Sequence, residues 1–222
     1  MPKSWENRPH IPLTALLMLL IAAFPAMEYN GVARCVINTG IIGGTLLTLW
    51  RVHARSAHLM LLTLFGVVAL ATQYAWELRM VGEEVTVGLV TGLSESAFLI
   101  GAAIVMIQYM MRDAHASVDE LFASAAAFLL MALAWACFYW VLAYFDPEAF
   151  TIAHASHGGR STIFDFLYLS MTTLTTTGYG DILPTSSWAR SVVMLEQLVG
   201  VMYVALLISR LAGFAGRTRR AE

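Results

Sequence analysis

Charge is scarce in this chain. Of its 222 residues only 13 % are Asp, Glu, Lys or Arg, while 59 % are hydrophobic and the mean hydropathy is +0.69. Soluble domains carry about 25 % charged residues, so the composition excludes an ordinary soluble protein and points to a membrane. A formal net charge of −2 offers no attraction to nucleic acid. Cysteine is nearly absent as well. Cys35 and Cys137 both fall in apolar stretches, which reads as two membrane-buried thiols and not a disulfide framework. No nucleophile stands beside a base, no ligand cluster marks a metal pocket and no glycine-rich loop suggests phosphate binding, so neither enzyme chemistry nor a cofactor is expected.

What is present is long apolar runs. Six stretches, 11–27, 35–50, 59–76, 85–111, 121–145 and 188–214, approach or exceed the roughly 20 residues needed to cross a hydrocarbon core. The first begins after basic residues and ends near Pro25, a weaker match to a cleaved signal peptide. A seventh segment, 162–174, is too short to span, the pattern of a re-entrant helix surrounded by protein. Lys3, Arg8, Arg51, Arg55, Arg112, Arg217, Arg219 and Arg220 all fall on one side of a six-span layout. The opposite loops carry Glu28, Glu77, Glu83, Glu84, Asp146 and Glu148, with only Arg34, Arg79 and Arg160 as counterweights. The positive-inside rule then puts both termini in the cytoplasm.

The short segment runs into Thr172-Thr173-Leu174-Thr175-Thr176-Thr177-Gly178-Tyr179-Gly180-Asp181. Its core, Thr-x-Gly-Tyr-Gly-Asp, resembles the selectivity-filter signature of the potassium-channel superfamily. In that family successive backbone carbonyls replace the water around a potassium ion. Aiming consecutive carbonyls one way requires alternating backbone hands, which glycine adopts without a Cβ penalty, so Gly178 and Gly180 are the expected left-handed positions. The resemblance implies potassium sites at Thr176, Thr177, Gly178 and Tyr179, with Gly180 completing the filter. Thr176 would add its hydroxyl, Tyr179 would brace the loop from outside, and Asp181 would form an acidic ring at the outer mouth. One loop cannot surround an ion, so a homotetramer is implied.

The resemblance runs from Leu121 through an outer helix, a polar loop at 146–160, a pore helix, the filter and an inner helix. Thr162-Ile163-Phe164-Asp165 reads as a capping box starting the pore helix, and Ser117 with Glu120 as one starting the outer helix. His154 and His157 have a spacing that suits a metal only on a helix; on this loop they read as solvated. Two departures from the family stand out. Thr172 occupies a place behind the filter where some members keep a carboxylate, and Thr177 replaces the commoner Val or Ile. Glu196, an acid within a span, is expected to support the filter together with Thr172. Gly200 lies where the family's gating-hinge glycine sits, with close helix contact as the competing use.

Voltage-gated relatives carry an arginine every third residue in their fourth span, but 85–111 contains no Arg or Lys. Steep voltage gating is therefore not expected. Gly40, Gly43, Gly44, Gly88 and Gly92 read as helix-packing positions. Glu95 lies about 10 residues, or roughly 15 Å, into its span. It is a candidate proton or ligand sensor or a hydrogen-bonded tie, with Asn38 and Gln73 as potential partners.

The expected fold is an all-α membrane protein of six transmembrane helices plus a re-entrant pore helix and filter loop, assembled as a tetramer around a central pore. Residues 1–116 form a four-span peripheral domain that is voltage-sensor-like but arginine-free, 117–216 the pore domain and 217–222 a short cytoplasmic tail. The expected partners are identical copies, membrane lipid and K+ as the permeant ion, in a bacterial inner membrane. The competing readings are a weakly selective cation channel and a membrane sensor or regulatory subunit that uses the pore module for assembly.

Overall fold

A computed structural model of the chain describes residues 10–23, 30–52, 56–78, 85–112, 118–153 and 161–218. Seven helices and two short strands occupy them: α1 His10–Ala22, α2 Gly31–Arg51, α3 Ser56–Glu77, α4 Val85–Arg112, α5 Val118–Phe145, β1 Phe150–Ile152, α6 Ile163–Leu174, β2 Ile182–Pro184 and α7 Ser187–Thr218. Five helices contain stretches long and apolar enough to cross a membrane, at Gly31–Arg51, Ser56–Glu77, Thr86–Met111, Val118–Phe145 and Ser187–Arg210. In lipid every backbone polar group must be satisfied within the segment, which is why such apolar runs fold as helices. The chain is a multi-pass, mostly helical membrane protein. The sequence-predicted first span at 11–27 overlaps α1, which has 13 residues, and 24–27 lie outside the described residues. Ser117, His154, His157, Lys3, Arg8, Arg55, Arg219 and Arg220 lie outside the described residues.

Packing divides the chain into two compact units: α1 to α4 with α5 as far as Ala134, and α5 from Trp135 onward with β1, α6, β2 and α7. In the first unit α3 packs most extensively on α4. A Cβ added at Gly66 of α3 would stand 2.9 Å from Ile42 Cγ2, and one at Gly101 of α4 would stand 2.5 Å from Leu62 Cδ2. Gly44 plays the same part against Leu16, at 2.9 Å. Small residues admit close helices here, but not where the sequence suggested for Gly40 and Gly43, which have open space around an added Cβ. Spacing marked Gly44 correctly but could not separate it from Gly40 and Gly43, because which face meets a neighbour is a tertiary property.

Several polar groups in this unit are tied in pairs. The Asn38 amide donates to Gln73 Oε1, so these two residues bond one another between α2 and α3. Near the ends of the same helices Arg34 pairs with Glu77 at 3.0 Å. Cys35, on the same helix, and Cys137 of α5 are both buried, and neither forms a disulfide. At the start of α1, His10 is fully buried. Its backbone N–H donates to Asp119 Oδ1 at 3.1 Å, and its Nδ1 meets Asp119 Oδ2 at 2.7 Å. The Tyr109 ring of α4 lies 4.8 Å from the imidazole, centroid to centroid. One turn on, the Thr14 hydroxyl donates to the Phe122 carbonyl at 2.8 Å. Asp119 also sits in the first turn of α5, where a negative charge complements the helix dipole. His10→Ala should therefore loosen α1 from the start of α5 and destabilise the protein by about 1.5–3 kcal/mol, the range for a hydrogen bond to a charged group. Thermal unfolding in detergent measures this; an unchanged melting temperature would show that the pair contributes nothing.

In the second unit β1 and β2 pair antiparallel, with Phe150 opposite Pro184, Thr151 opposite Leu183 and Ile152 opposite Ile182. The sequence reading treated 146–160 as one polar loop. Each strand is three residues long and finds its partner only across α6, so no local pattern announces it. The pairing seats Phe150 against Phe166 of α6 at 5.0 Å and Tyr139 of α5 at 5.4 Å, both edge-on, a favourable arrangement for aromatic rings. By contrast α7 exposes Met194, Leu195, Leu198, Val201, Met202, Leu206 and Ile208. A helix so apolar and so exposed requires apolar surroundings.

Candidate functional site

Helix α6 starts as the residues predict. Thr162 is its N-cap: the Thr162 hydroxyl accepts from Asp165 N at 3.3 Å, and Asp165 Oδ2 accepts from Thr162 N at 2.7 Å. Two otherwise orphaned donors are satisfied reciprocally. At the other end the chain leaves the helix without breaking contact with it. Thr176 N donates to Thr173 O at 3.0 Å, Thr177 N to Thr172 O at 2.8 Å and Gly178 N to Thr172 O at 3.2 Å. In a trans peptide the carbonyl points opposite to the N–H across the same bond. The carbonyls of Thr175, Thr176 and Thr177 therefore all turn away from the end of α6, which stacks three oxygens along one edge of the loop.

The backbone hand alternates to allow this. Positive φ occurs at Thr176 (+59°), Gly178 (+53°) and Gly180 (+77°), and at neither Thr177 nor Tyr179. The glycines were legible in the sequence; Thr176 was not. A Cβ-bearing residue in the left-handed region costs about 1–2 kcal/mol, so the amide contacts must hold Thr176 there. Its neighbours are tied too. The Thr175 hydroxyl donates to Met171 O at 2.6 Å and lies 2.9 Å from the Thr177 hydroxyl, which is thereby engaged along the loop. The Thr172 hydroxyl turns back to Leu169 O at 2.9 Å, so it is the main-chain carbonyl of Thr172 that meets the loop.

Tyr179 stacks on Tyr168 of α6, with centroids 6.1 Å apart and ring planes within 6°. Tyr168 also hydrogen-bonds Asp181, and that bond is the main reason its phenol titrates above the ordinary tyrosine value. The Asp181 carbonyl accepts from Ala153 N at 2.8 Å, which anchors the loop exit to the residue following β1. Asp181 thus sits where α6, the loop and the strand pair meet.

Behind α6, Glu196 of α7 is wholly buried. Its Oε1 accepts from the Ser170 hydroxyl of α6 at 2.5 Å, and its Oε2 accepts from the Tyr139 hydroxyl of α5. One turn further along both helices, Gly200 lies against Leu174: an added Cβ would stand 2.9 Å from Leu174 O and 3.0 Å from Leu174 Cα. Helix α7 continues unbroken through this position. Thr172, Thr176 to Asp181, Glu196 and Gly200 are therefore gathered in one unit, while half-buried Glu95 belongs to α4 in the other. Sequence reasoning missed Tyr139 and Ser170. The available signal was Glu196 itself, since a carboxyl group buried at membrane depth needs hydrogen-bond donors.

A helix that ends on a loop of outward-turned carbonyls, flanked by two apolar helices, defines a membrane protein of the ion-conducting class. The ion channel family model matches residues 127–217, the stretch that holds this site. Protein LctB of Bacillus caldotenax is 31 % identical over 118 residues, covering 52 % of this chain and 87 % of that protein. No solved structure matches. The chain belongs to the ion channel family.

Proposed function

We propose that four copies of this chain form a potassium-selective channel that conducts K+ passively through the backbone carbonyls of a filter at 176–180. The observation that carries this reading is the row of amides at 176, 177 and 178 turned onto the Thr172 and Thr173 carbonyls. It leaves consecutive oxygens facing the other way, the arrangement that can replace an ion's water shell. One such row covers one side of an ion, and four rows around an axis enclose it. The exposed apolar faces of α7 provide surface for that assembly and for lipid. The six-span layout, with both termini in the cytoplasm, follows the charge distribution and opens the Asp181 end outward. Asp181 is the residue for an acidic outer ring, Thr172 and Glu196 for filter support, and Gly200 for the place where α7 bends or packs. The absence of arginine and lysine from 85–111 supports gating that is not steeply voltage-dependent, with Glu95 as the candidate sensing group.

Purified protein in liposomes should pass potassium with little sodium, and barium should block the flux. Equal reversal potentials in potassium and sodium would overturn potassium selectivity and favour the weakly selective reading, for which Thr177 is the motivating residue. Absence of any flux from reconstituted tetramers would favour the regulatory-subunit reading.

A further inference from the structure

We infer that Tyr139 and Ser170 are positioning residues for ion selection, acting through Glu196 on the end of the pore helix. The inference rests on the channel reading above. Glu196 has no exposed surface, and neither do Tyr139 and Ser170. Three helices meet at one carboxyl group: α7 supplies it, α5 donates the Tyr139 hydroxyl to Oε2, and α6 donates the Ser170 hydroxyl to Oε1. Every partner lies out of water, where a hydrogen-bonded network is stiff and where an unmet carboxyl oxygen is costly.

What gives this clasp a role in selection is its place in the α6 register. Ser170 lies two residues before Thr172, whose carbonyl accepts from both Thr177 and Gly178. A displacement of the last turn of α6 moves Thr172 and Thr173, and with them the peptide planes of 176 to 178. The attachment is made at two levels with matching register: Ser170 to Glu196, then, one turn later on both helices, Leu174 against Gly200. The first contact is polar and directional, and the second is a close backbone approach. Together they fix both the distance and the rotation of α6 relative to α7. Tyr139 completes the arrangement from the opposite side. Its ring is wedged between Phe150 at 5.4 Å and Phe166 at 6.3 Å, so its hydroxyl has little freedom to leave Glu196. A network made only for folding could tie these helices anywhere along their length. This one ties them at the turn that holds the loop amides.

The test compares wild type, Tyr139→Phe, Ser170→Ala and Glu196→Gln as full-length proteins in liposomes. Each variant removes or alters a polar contact while nearly preserving shape. Reversal potentials in potassium and sodium give selectivity, and melting of the detergent-solubilised tetramer gives fold integrity. The expected result is an intact tetramer in each case with a potassium preference lowered about tenfold, the size of losing one buried hydrogen bond. Adding Tyr139→Phe or Ser170→Ala to Glu196→Gln should add little, because all act through one group. Variants with wild-type selectivity would overturn the inference. So would a Tyr139→Phe tetramer that fails to assemble, which would make the hydroxyl a folding contact. Were wild type itself unselective, the potassium reading would fall, and the clasp would then stand or fall on whether the three variants reduce cation flux together.

Discussion

Gly178→Ala is expected to eliminate potassium flux while leaving a folded tetramer. Gly178 has φ +53°, and an added Cβ there meets nothing within 4 Å in the chain. Within one chain the damage is therefore conformational and not a collision. An L-residue in the left-handed region costs about 1 kcal/mol or more, and the loop already bears such a cost at Thr176. If φ relaxes to the ordinary region, the 177–178 peptide plane turns, Gly178 N leaves Thr172 O and the carbonyl of Thr177 swings off the row. Four copies at about 1 kcal/mol each reduce the population of the fully formed filter by about a thousandfold. The helices around the loop do not depend on this plane, so melting should change little. Flux from the variant equal to wild type would show that the alternating backbone is not the conducting conformation.

The second large effect is expected at Gly200. Gly200→Val places a branched side chain against Leu174 O and Leu174 Cα, at positions where even a Cβ would be 2.9 and 3.0 Å away. These are backbone atoms at the end of a helix and cannot swing aside as a leucine side chain can. Either α6 or α7 must shift, with an overpacking cost of about 1–3 kcal/mol per chain and loss of conduction. Gly200→Ala separates the two uses of this residue. Close packing predicts a lower melting temperature together with altered selectivity, because the Leu174 end of α6 moves. A pure hinge predicts an unchanged melting temperature with a changed open probability, because only the flexibility of α7 is lost. Melting and single-channel recording of the same variant distinguish them.

The sequence was most informative where the backbone itself imposes the rule. Apolar runs in a charge-poor chain identify membrane helices because lipid cannot satisfy a free amide. The Thr162 and Asp165 pair predicted how α6 begins, since both sides of a capping box lie within four residues of one another. Glycines spaced by two predicted the hand of the loop at 178 and 180 for the same local reason. Thr176 escaped because nothing in a threonine announces a left-handed backbone; carbonyls supplied by the preceding helix hold it there.

The rest depended on contacts between segments far apart in the chain. That Glu196 needed partners was legible from its depth in an apolar run, but their identity was not. Tyr139, Ser170 and Glu196 come from three helices, and hydroxyl residues are common enough that no spacing singles out these two. The same holds for β1 and β2, paired across α6, and for His10 and Asp119, which join α1 to α5. The packing glycines make the point from the other direction: of Gly40, Gly43 and Gly44, all at packing spacing in the sequence, Gly44 alone has a close neighbour within the chain, while Gly66 and Gly101, which no spacing singled out, have one too. Residue type and local spacing determined that this chain forms membrane helices and a loop able to stack its carbonyls. Which helix faces meet, and hence what holds that loop in place, was decided by tertiary packing, because burial and hydrogen bonding between distant segments are properties of the folded surface and of no single stretch of chain.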